Sequence, residues 1–110
     1  MPNLDISSIL RDLTAMLQEP LDPEAARRRI RALVAGGHIR YSRHALDQVS
    51  ARRLDMADCL NVLRAGGVGP AEWVNGSWRY PVSTPRGFTV VVAFRGEDVL
   101  VVVTAWPGER

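Results

Sequence analysis

The sequence predicts an α+β fold, in which N-terminal helices precede a mainly antiparallel sheet of about four strands. As far as residue 63, apolar residues recur at three- and four-residue steps, the spacing of one helix face. From Gly66 onward, β-branched runs alternate with turn residues, which is typical of strands. With 110 residues the chain is expected to form one domain.

Two helices are expected before residue 38. Asp5 is a plausible cap of the first, and Pro20 ends it near Glu19. Its apolar stripe consists of Ile6, Ile9, Leu10, Leu13, Met16 and Leu17. Asp22-Pro23 has the N-cap and first-residue pattern of the second helix, which Gly36-Gly37 end.

Two further helices follow a short run of alternating polarity, His38–Tyr41. Ser42 is expected to cap the third, roughly Arg43–Arg53. Asp55 with Asp58 predicts a capping box for the fourth, Met56–Ala65, whose core-facing side chains are Met56, Cys59, Leu60 and Leu63.

Two hairpins are predicted in the second half of the chain. Asn75-Gly76 favours a type I′ turn between Glu72–Val74 and Ser77–Val82. Arg95–Asp98 joins Phe88–Phe94 to Val99–Ala105. Because the valines in these last two runs are continuous, we expect central strands covered on both faces or nearly so.

Charge is unevenly distributed along the chain. All fourteen basic residues are arginine, which either the codon usage of a GC-rich genome or the fit of the planar guanidinium to phosphates and base edges would explain. Codon usage does not explain their placement, because residues 1–26 carry a net charge of −4, residues 27–64 carry +6, and the remainder is balanced. The basic centre predicts a polyanionic partner such as RNA, or an acidic protein.

Several classes of protein are disfavoured by what the sequence lacks. The single cysteine, Cys59, and the two histidines form no metal-ligand spacing, so no metal or cofactor is expected. No run of about 18 apolar residues would span a membrane. Acidic residues interrupt the N-terminal segment, unlike a signal peptide, so a cytoplasmic location is predicted.

The remaining polar residues match the needs of metal-independent RNA cleavage. That reaction requires a base for the 2′-OH, cations near the phosphorane and an acid for the leaving 5′-oxygen. Histidine titrates near neutral pH, so His44 is the natural acid or base. Tyr80 could donate a proton or stack on a base. Each also has a structural alternative, a helix-end hydrogen bond for His44 and core packing for Tyr80.

One segment resembles the family called domain of unknown function 4258. Its motif, H-A-x-x-R-M-x-x-R-G-I, is similar to His44–Leu54, and Val102-Val103-Thr104 resembles its closing strand. In outline the chain is also similar to the MqsR, RelE and BrnT toxins. Gln48 stands where the motif has its first arginine, and Arg53 replaces its glycine.

The resemblance implies a RelE-like domain over residues 22–110, with a helix over residues 1–21 outside it. It implies a toxin component of a bacterial toxin–antitoxin system, acting as a metal-independent endoribonuclease on RNA, free or on the ribosome, with an antitoxin protein as partner. Of the residues assigned to catalysis, His44 and Arg52 match the motif's histidine and second arginine, while Arg79 and Tyr80 are assigned from their own chemistry. Those assigned to RNA binding are Arg40, Arg43, Arg53 and Arg95.

Two alternatives remain open. A domain of the same fold could bind RNA or a protein without catalysis, and the loss of the motif's arginine at Gln48 favours this. The stripe of the first helix could form a homodimer, or that helix could cover the basic region of its own chain.

Overall fold

A computed structural model describes residues 19–108, so the first predicted helix lies outside the described residues. The described elements are α1 (Pro23–Gly36), β1 (His38–Tyr41), α2 (Arg43–Ala51), α3 (Met56–Ala65), β2 (Gly67–Val68), β3 (Glu72–Val74), β4 (Ser77–Ser83), β5 (Thr89–Arg95) and β6 (Val99–Trp106).

The three described helices begin where their capping residues predict. The Asp22 carboxylate accepts a hydrogen bond from the Ala25 amide at 2.8 Å, and the Ser42 hydroxyl accepts one from the Ala45 amide at 3.0 Å. Asp55 and Asp58 form a capping box at the start of α3. Each cap satisfies backbone N–H groups that have no partner within the helix, so local sequence determines these starts.

The sheet has more strands than predicted. Its order is β1-β6-β5-β4-β2, with β3 paired to β4. The four expected strands are present, while β1 and β2 bring the number to six. The prediction that all helices precede the sheet was also wrong, because β1 lies between α1 and α2 and pairs in parallel with β6. This pairing joins residues about 60 positions apart, a relationship that local periodicity does not reveal.

The hairpin prediction at Asn75-Gly76 is confirmed. Both residues have positive φ angles, 48° and 83°, as a type I′ turn requires. Trp73 and Trp78 lie directly opposite each other across this hairpin, with ring centroids 5.2 Å apart in an edge-to-face arrangement. They are therefore cross-strand partners.

All three described helices pack on one face of the sheet and share one core with it. The helices contribute Ala26, Ile30, Leu33, Ala45, Val49, Cys59, Val62 and Leu63. The sheet contributes Tyr80, Val82, Val90, Val92, Leu100, Val102 and Ala105. Cys59 is buried as predicted, whereas Met56 is 45% exposed and does not face the core.

The opposite face of the sheet is less covered than the valine runs suggest. Along β5 and β6, buried side chains alternate with half-buried ones. The continuous valines therefore do not indicate complete burial on both faces, and among the described residues no helix belongs to a core on the second face. This half-buried face is called the open face below.

A bulge in the last strand changes which side chains reach the open face. Val92 pairs with Val102, but Val91 pairs with Thr104, so Val103 is an extra residue in β6. Side chains along a strand point alternately to its two faces, and an extra residue exchanges the faces for all residues after it. Ala105 is consequently buried in the core, and Trp106 lies on the open face.

Candidate nucleic-acid interface

The open face presents an apolar centre with basic residues around it, and the acidic Glu72 lies directly opposite Arg79 across the β3–β4 pair. Alternation along the strands assigns to it Arg40, Arg79, Pro81, Val91, Ala93, Arg95, Val99, Val101, Thr104 and Trp106. The register aligns His38, Val99 and Arg95 in one row across three strands. In a second row Arg40, Val101 and Ala93 are aligned.

Three of the arginines predicted to bind RNA or contribute to cleavage therefore share this face. Arg40, Arg79 and Arg95 come from β1, β4 and β5. Neighbouring strands lie about 4.8 Å apart, so Arg40 and Arg79 are separated by roughly 14 Å across the sheet. Such a width suits contacts with several groups of an extended anionic ligand rather than with one ion.

Arg79 carries an unused hydrogen-bond donor. Its Nε atom is buried, and no acceptor among the described residues reaches it. Buried donors in folded proteins nearly always have a partner, and charged donors are the most costly to leave without one. The Nε atom of Arg27 and the hydroxyl of Tyr41 are likewise buried without a hydrogen-bond partner among the described residues.

Helix α2 borders the open face along β6. His44, Gln48 and Arg52 are four residues apart on the helix, so they lie on one flank. The Gln48 side-chain carbonyl accepts a hydrogen bond from the Ala105 amide at 3.0 Å. The carbonyl of Val103 accepts a hydrogen bond from the Ser42 hydroxyl at 3.0 Å. Together these contacts place α2 where β1 ends, beside the last residues of β6.

This attachment explains the role of Gln48. Its side chain satisfies a backbone N–H on the part of β6 that extends beyond β1. The residue that replaces the arginine of the motif is therefore a structural contact to the sheet, and the sequence contained no signal for it.

Arg52 and Trp106 form a cation–π pair at the end of α2. The guanidinium carbon of Arg52 lies 3.8 Å from the centroid of the indole ring. Trp106 nevertheless remains 47% exposed. His44, on the same flank, is also exposed. The pair combines an aromatic surface with a fixed positive charge, and Trp106 was not among the predicted site residues because the β6 bulge decides its direction.

Tyr80, predicted as catalytic, lies on the other side of the sheet. Its side chain is 0% exposed and packs against Phe94, with ring centroids 5.0 Å apart. The hydroxyl donates to the Glu19 carboxylate at 2.7 Å and accepts from the Leu21 amide at 3.1 Å. Burial raises its pKa to about 12. Core packing, the structural alternative, is what the structure shows, and the catalytic assignment is corrected.

Arg43 and Arg53 differ from the arginines of the open face. Arg43 is offset from His44 by about 100° around α2, is 91% exposed, and lies 3.7 Å from the carboxylate of Asp47. Arg53 follows α2 with a φ of 53°. Glycine adopts this left-handed conformation without strain, and the motif has glycine at this position.

No protein-family model, curated protein or solved structure matches this chain. The resemblance to the family of unknown function and to RelE-like toxins therefore stays a prediction from the sequence. Within residues 19–108, no three His, Cys, Asp or Glu side chains cluster as metal ligands would. In the same range, no helix has the length and apolar character needed to cross a bilayer.

Proposed function

We propose that the open face binds single-stranded RNA. The observation that carries this proposal is the convergence of Arg40, Arg79 and Arg95, from three strands, on one half-buried face. Arginines contact phosphates, while the apolar centre and Trp106 offer surfaces for bases. Bases are free to stack on an aromatic ring only where they are not already stacked in a duplex, which favours single strands.

Substitution of individual arginines tests this proposal. Arg79→Ala and Arg40→Ala are expected to weaken binding of a fluorescent single-stranded RNA by roughly fivefold or more, since each contact to a charged group contributes about 1 kcal/mol or more. Arg43→Ala is the matched control, because it removes the same charge from the outer side of α2. Equal losses in all three variants would indicate a non-specific charge effect and contradict a site on the open face.

Salt dependence gives an independent readout. For single strands the logarithm of the binding constant falls with the logarithm of salt concentration with a slope of about −0.7 per phosphate contact. Arg79→Ala should reduce this slope, and Arg43→Ala should leave it unchanged. Binding to acidic peptides in preference to RNA would indicate that the open face binds a protein partner instead.

A second candidate function is metal-independent cleavage of the bound RNA, as in a toxin component neutralised by an antitoxin. Exposed His44 lies on the same flank of α2 as Arg52 but about 12 Å from it along the helix, so RNA bound along this flank would contact an acid or base at one end and a positive charge at the other. His44 would abstract the proton of the 2′-OH or protonate the 5′-oxygen, and the arginines would stabilise the phosphorane.

The burial of Tyr80 favours binding without catalysis, because it removes one of the two predicted acid or base groups.

The two histidines also lie apart. His38 pairs with Val99 at the beginning of β6, whereas α2, which carries His44, lies beside residues 102–106. At about 3.3 Å per residue this separation is on the order of 10 Å or more, so one phosphate would not contact both histidines. His44 would have to work with water or with a group of the RNA.

Induced expression in bacteria distinguishes the two candidates. If the protein cleaves RNA, the wild type arrests growth and yields cut RNA, and His44→Ala abolishes both while retaining its fold. His38→Ala is the matched control, since it removes the other histidine. Intact RNA and normal growth with wild-type protein that still binds RNA in vitro would leave binding alone as the function.

A further inference from the structure

A row of aligned residues crosses the open face at the end of the sheet where β6 finishes. The strand register places Gly67, Ser83, Thr89 and Trp106 side by side on β2, β4, β5 and β6. Residues directly opposite in antiparallel strands share a face, so the row lies with Trp106 on the open face. It is called the terminal row below, and it is roughly 14 Å wide at about 4.8 Å between strands.

Trp106 can receive a stacked base from the side of β5. Arg52 of α2 covers one face of the indole ring. That helix borders the edge of β6 that faces away from β5, because Gln48 accepts the Ala105 amide there. Thr89 lies directly opposite Trp106 on β5, on the other side of it. A base that stacks on the exposed indole from this side would extend over the rest of the terminal row.

The hydroxyl groups of Ser83 and Thr89 form a hydrogen bond whose direction can be deduced. Their oxygens lie 2.9 Å apart. The Thr89 hydroxyl also donates to the carbonyl of Gly87 at 3.1 Å. Because a hydroxyl carries a single proton, Thr89 has none left to donate to Ser83. Ser83 is therefore the donor to Thr89, and both hydroxyl protons are used within the protein.

The two hydroxyl groups can therefore only accept hydrogen bonds from a ligand. The exocyclic amino groups of adenine and cytosine are donors, whereas uracil, like thymine, has a carbonyl acceptor at position 4. The N3–H of uracil lies between two carbonyl oxygens. Directing it at the hydroxyl pair would bring a carbonyl acceptor toward a hydroxyl acceptor, so uracil fits this row less well.

Gly67 leaves space at the far end of the terminal row. It is exposed, and apart from its neighbours in the chain no described atom lies within 4 Å of the position that a Cβ would occupy. A base over Ser83 and Thr89 would therefore meet no side chain from β2.

We propose that the terminal row is a base-binding subsite that prefers adenine or cytosine to uracil. The base stacks on Trp106 and donates its amino group to the hydroxyl oxygens of Ser83 and Thr89. This inference rests on the proposed binding of single-stranded RNA and adds a base preference to it. Phosphate contacts carry no sequence information and every base can stack, so the preference comes from the direction of the hydroxyl hydrogen bonds.

Two pyrimidine strands test this preference. Fluorescent oligo(C) and oligo(U) of about eight nucleotides have the same backbone and ring size and differ only at the edge of the base. The wild type should bind oligo(C) roughly fivefold more tightly, the effect of about one hydrogen bond. A strand of pyrimidin-2-one, which is cytosine without its amino group, should lose most of this advantage.

Two variants connect the preference to the hydroxyl groups. Ser83→Ala and Thr89→Val should each bring the ratio of the two affinities close to one, mainly through weaker binding of oligo(C). In Thr89→Val the proton of Ser83 is also released and can be donated to a uracil carbonyl. Ser77→Ala, the same substitution on the same strand but roughly 20 Å from Ser83, should preserve the ratio.

The outcomes separate this inference from the proposed function. Equal affinity of the wild type for oligo(C) and oligo(U) would overturn the base subsite while RNA binding stands. A preference that survives both Ser83→Ala and Thr89→Val would overturn it as well. If neither strand binds, the proposed function and the base subsite both fail.

Discussion

The guanidinium carbon of Arg52 lies over the indole ring of Trp106, 3.8 Å from the ring centroid. One residue terminates helix α2, and the other is the last residue of strand β6. The contact joins the segment that carries His44 to the open face of the sheet. It depends on the bulge at Val103, because without the extra residue Trp106 would point into the helix side.

We predict that Trp106→Ala weakens binding of single-stranded RNA roughly tenfold. Stacking of one base on an aromatic residue contributes about 1–3 kcal/mol. Trp106→Phe, which keeps an aromatic ring, should lose much less. Trp73→Ala, which removes a tryptophan from the other side of the sheet, is the matched control in the same anisotropy titration, and an equal loss there would contradict stacking at Trp106.

Gln48 gives a prediction about stability rather than affinity. Gln48→Arg, which restores the arginine of the motif, has no acceptor for the Ala105 amide and should lower the free energy of unfolding by about 1–3 kcal/mol. Gln48→Glu retains a side-chain oxygen acceptor and should be close to wild type. Urea denaturation measures both. A stable Gln48→Arg protein with tighter RNA binding would show instead that position 48 contacts the ligand.

Tyr80 predicts how the protein responds to alkaline pH. Its pKa is raised from 10.0 to about 12, with burial as the largest cause. Because the raised pKa favours the neutral hydroxyl in the folded state, this stabilisation is fully present below pH 10 and is lost as pH rises through 12. The difference corresponds to about 2–3 kcal/mol. No lysine titrates in this interval, since the chain has none.

Comparison with Tyr80→Phe isolates this effect. Burial also raises the pKa of Tyr41 and of the Cys59 thiol, but both groups are present in the two proteins. Urea unfolding at several pH values should therefore show wild type more stable at pH 8, with the two curves converging between pH 10 and 12. Parallel curves over that interval would contradict a buried neutral phenol.

The backbone conformation of Arg53 gives a prediction about stability. At a φ of 53°, arginine adopts a conformation that is strained for most residues and accessible to glycine. Arg53→Gly is expected to raise the free energy of unfolding by about 0.5–1 kcal/mol. Arg52→Gly, at the neighbouring position where φ is −100°, should lower it and remove the Trp106 contact. Thermal melts of the two variants should shift in opposite directions.

Local chemistry accounts for the elements that the sequence predicted correctly. Asp22, Ser42 and Asp55 each begin a helix because their side chains satisfy nearby amides. Asn75-Gly76 forms its turn because both residues tolerate positive φ. These determinants act within a few residues, so the helix starts and the hairpin can be predicted from the sequence alone.

The candidate site could be predicted only in part from the sequence. Arg40, Arg79 and Arg95 were predicted from charge, but strand order and register decide that they share a face. The chemistry of the Tyr80 side chain suits a site residue, yet alternation along β4 places it in the core.

The sequence by itself determined the helix starts, the hairpins and a basic centre, because each depends on neighbouring residues. Tertiary structure alone decided the parallel pairing of β1 with β6, the contact of Gln48 with Ala105 and the direction of Trp106. The physical reason is that a bulge of one residue, or a pairing across some 60 residues, exchanges the two faces of a strand without changing its composition.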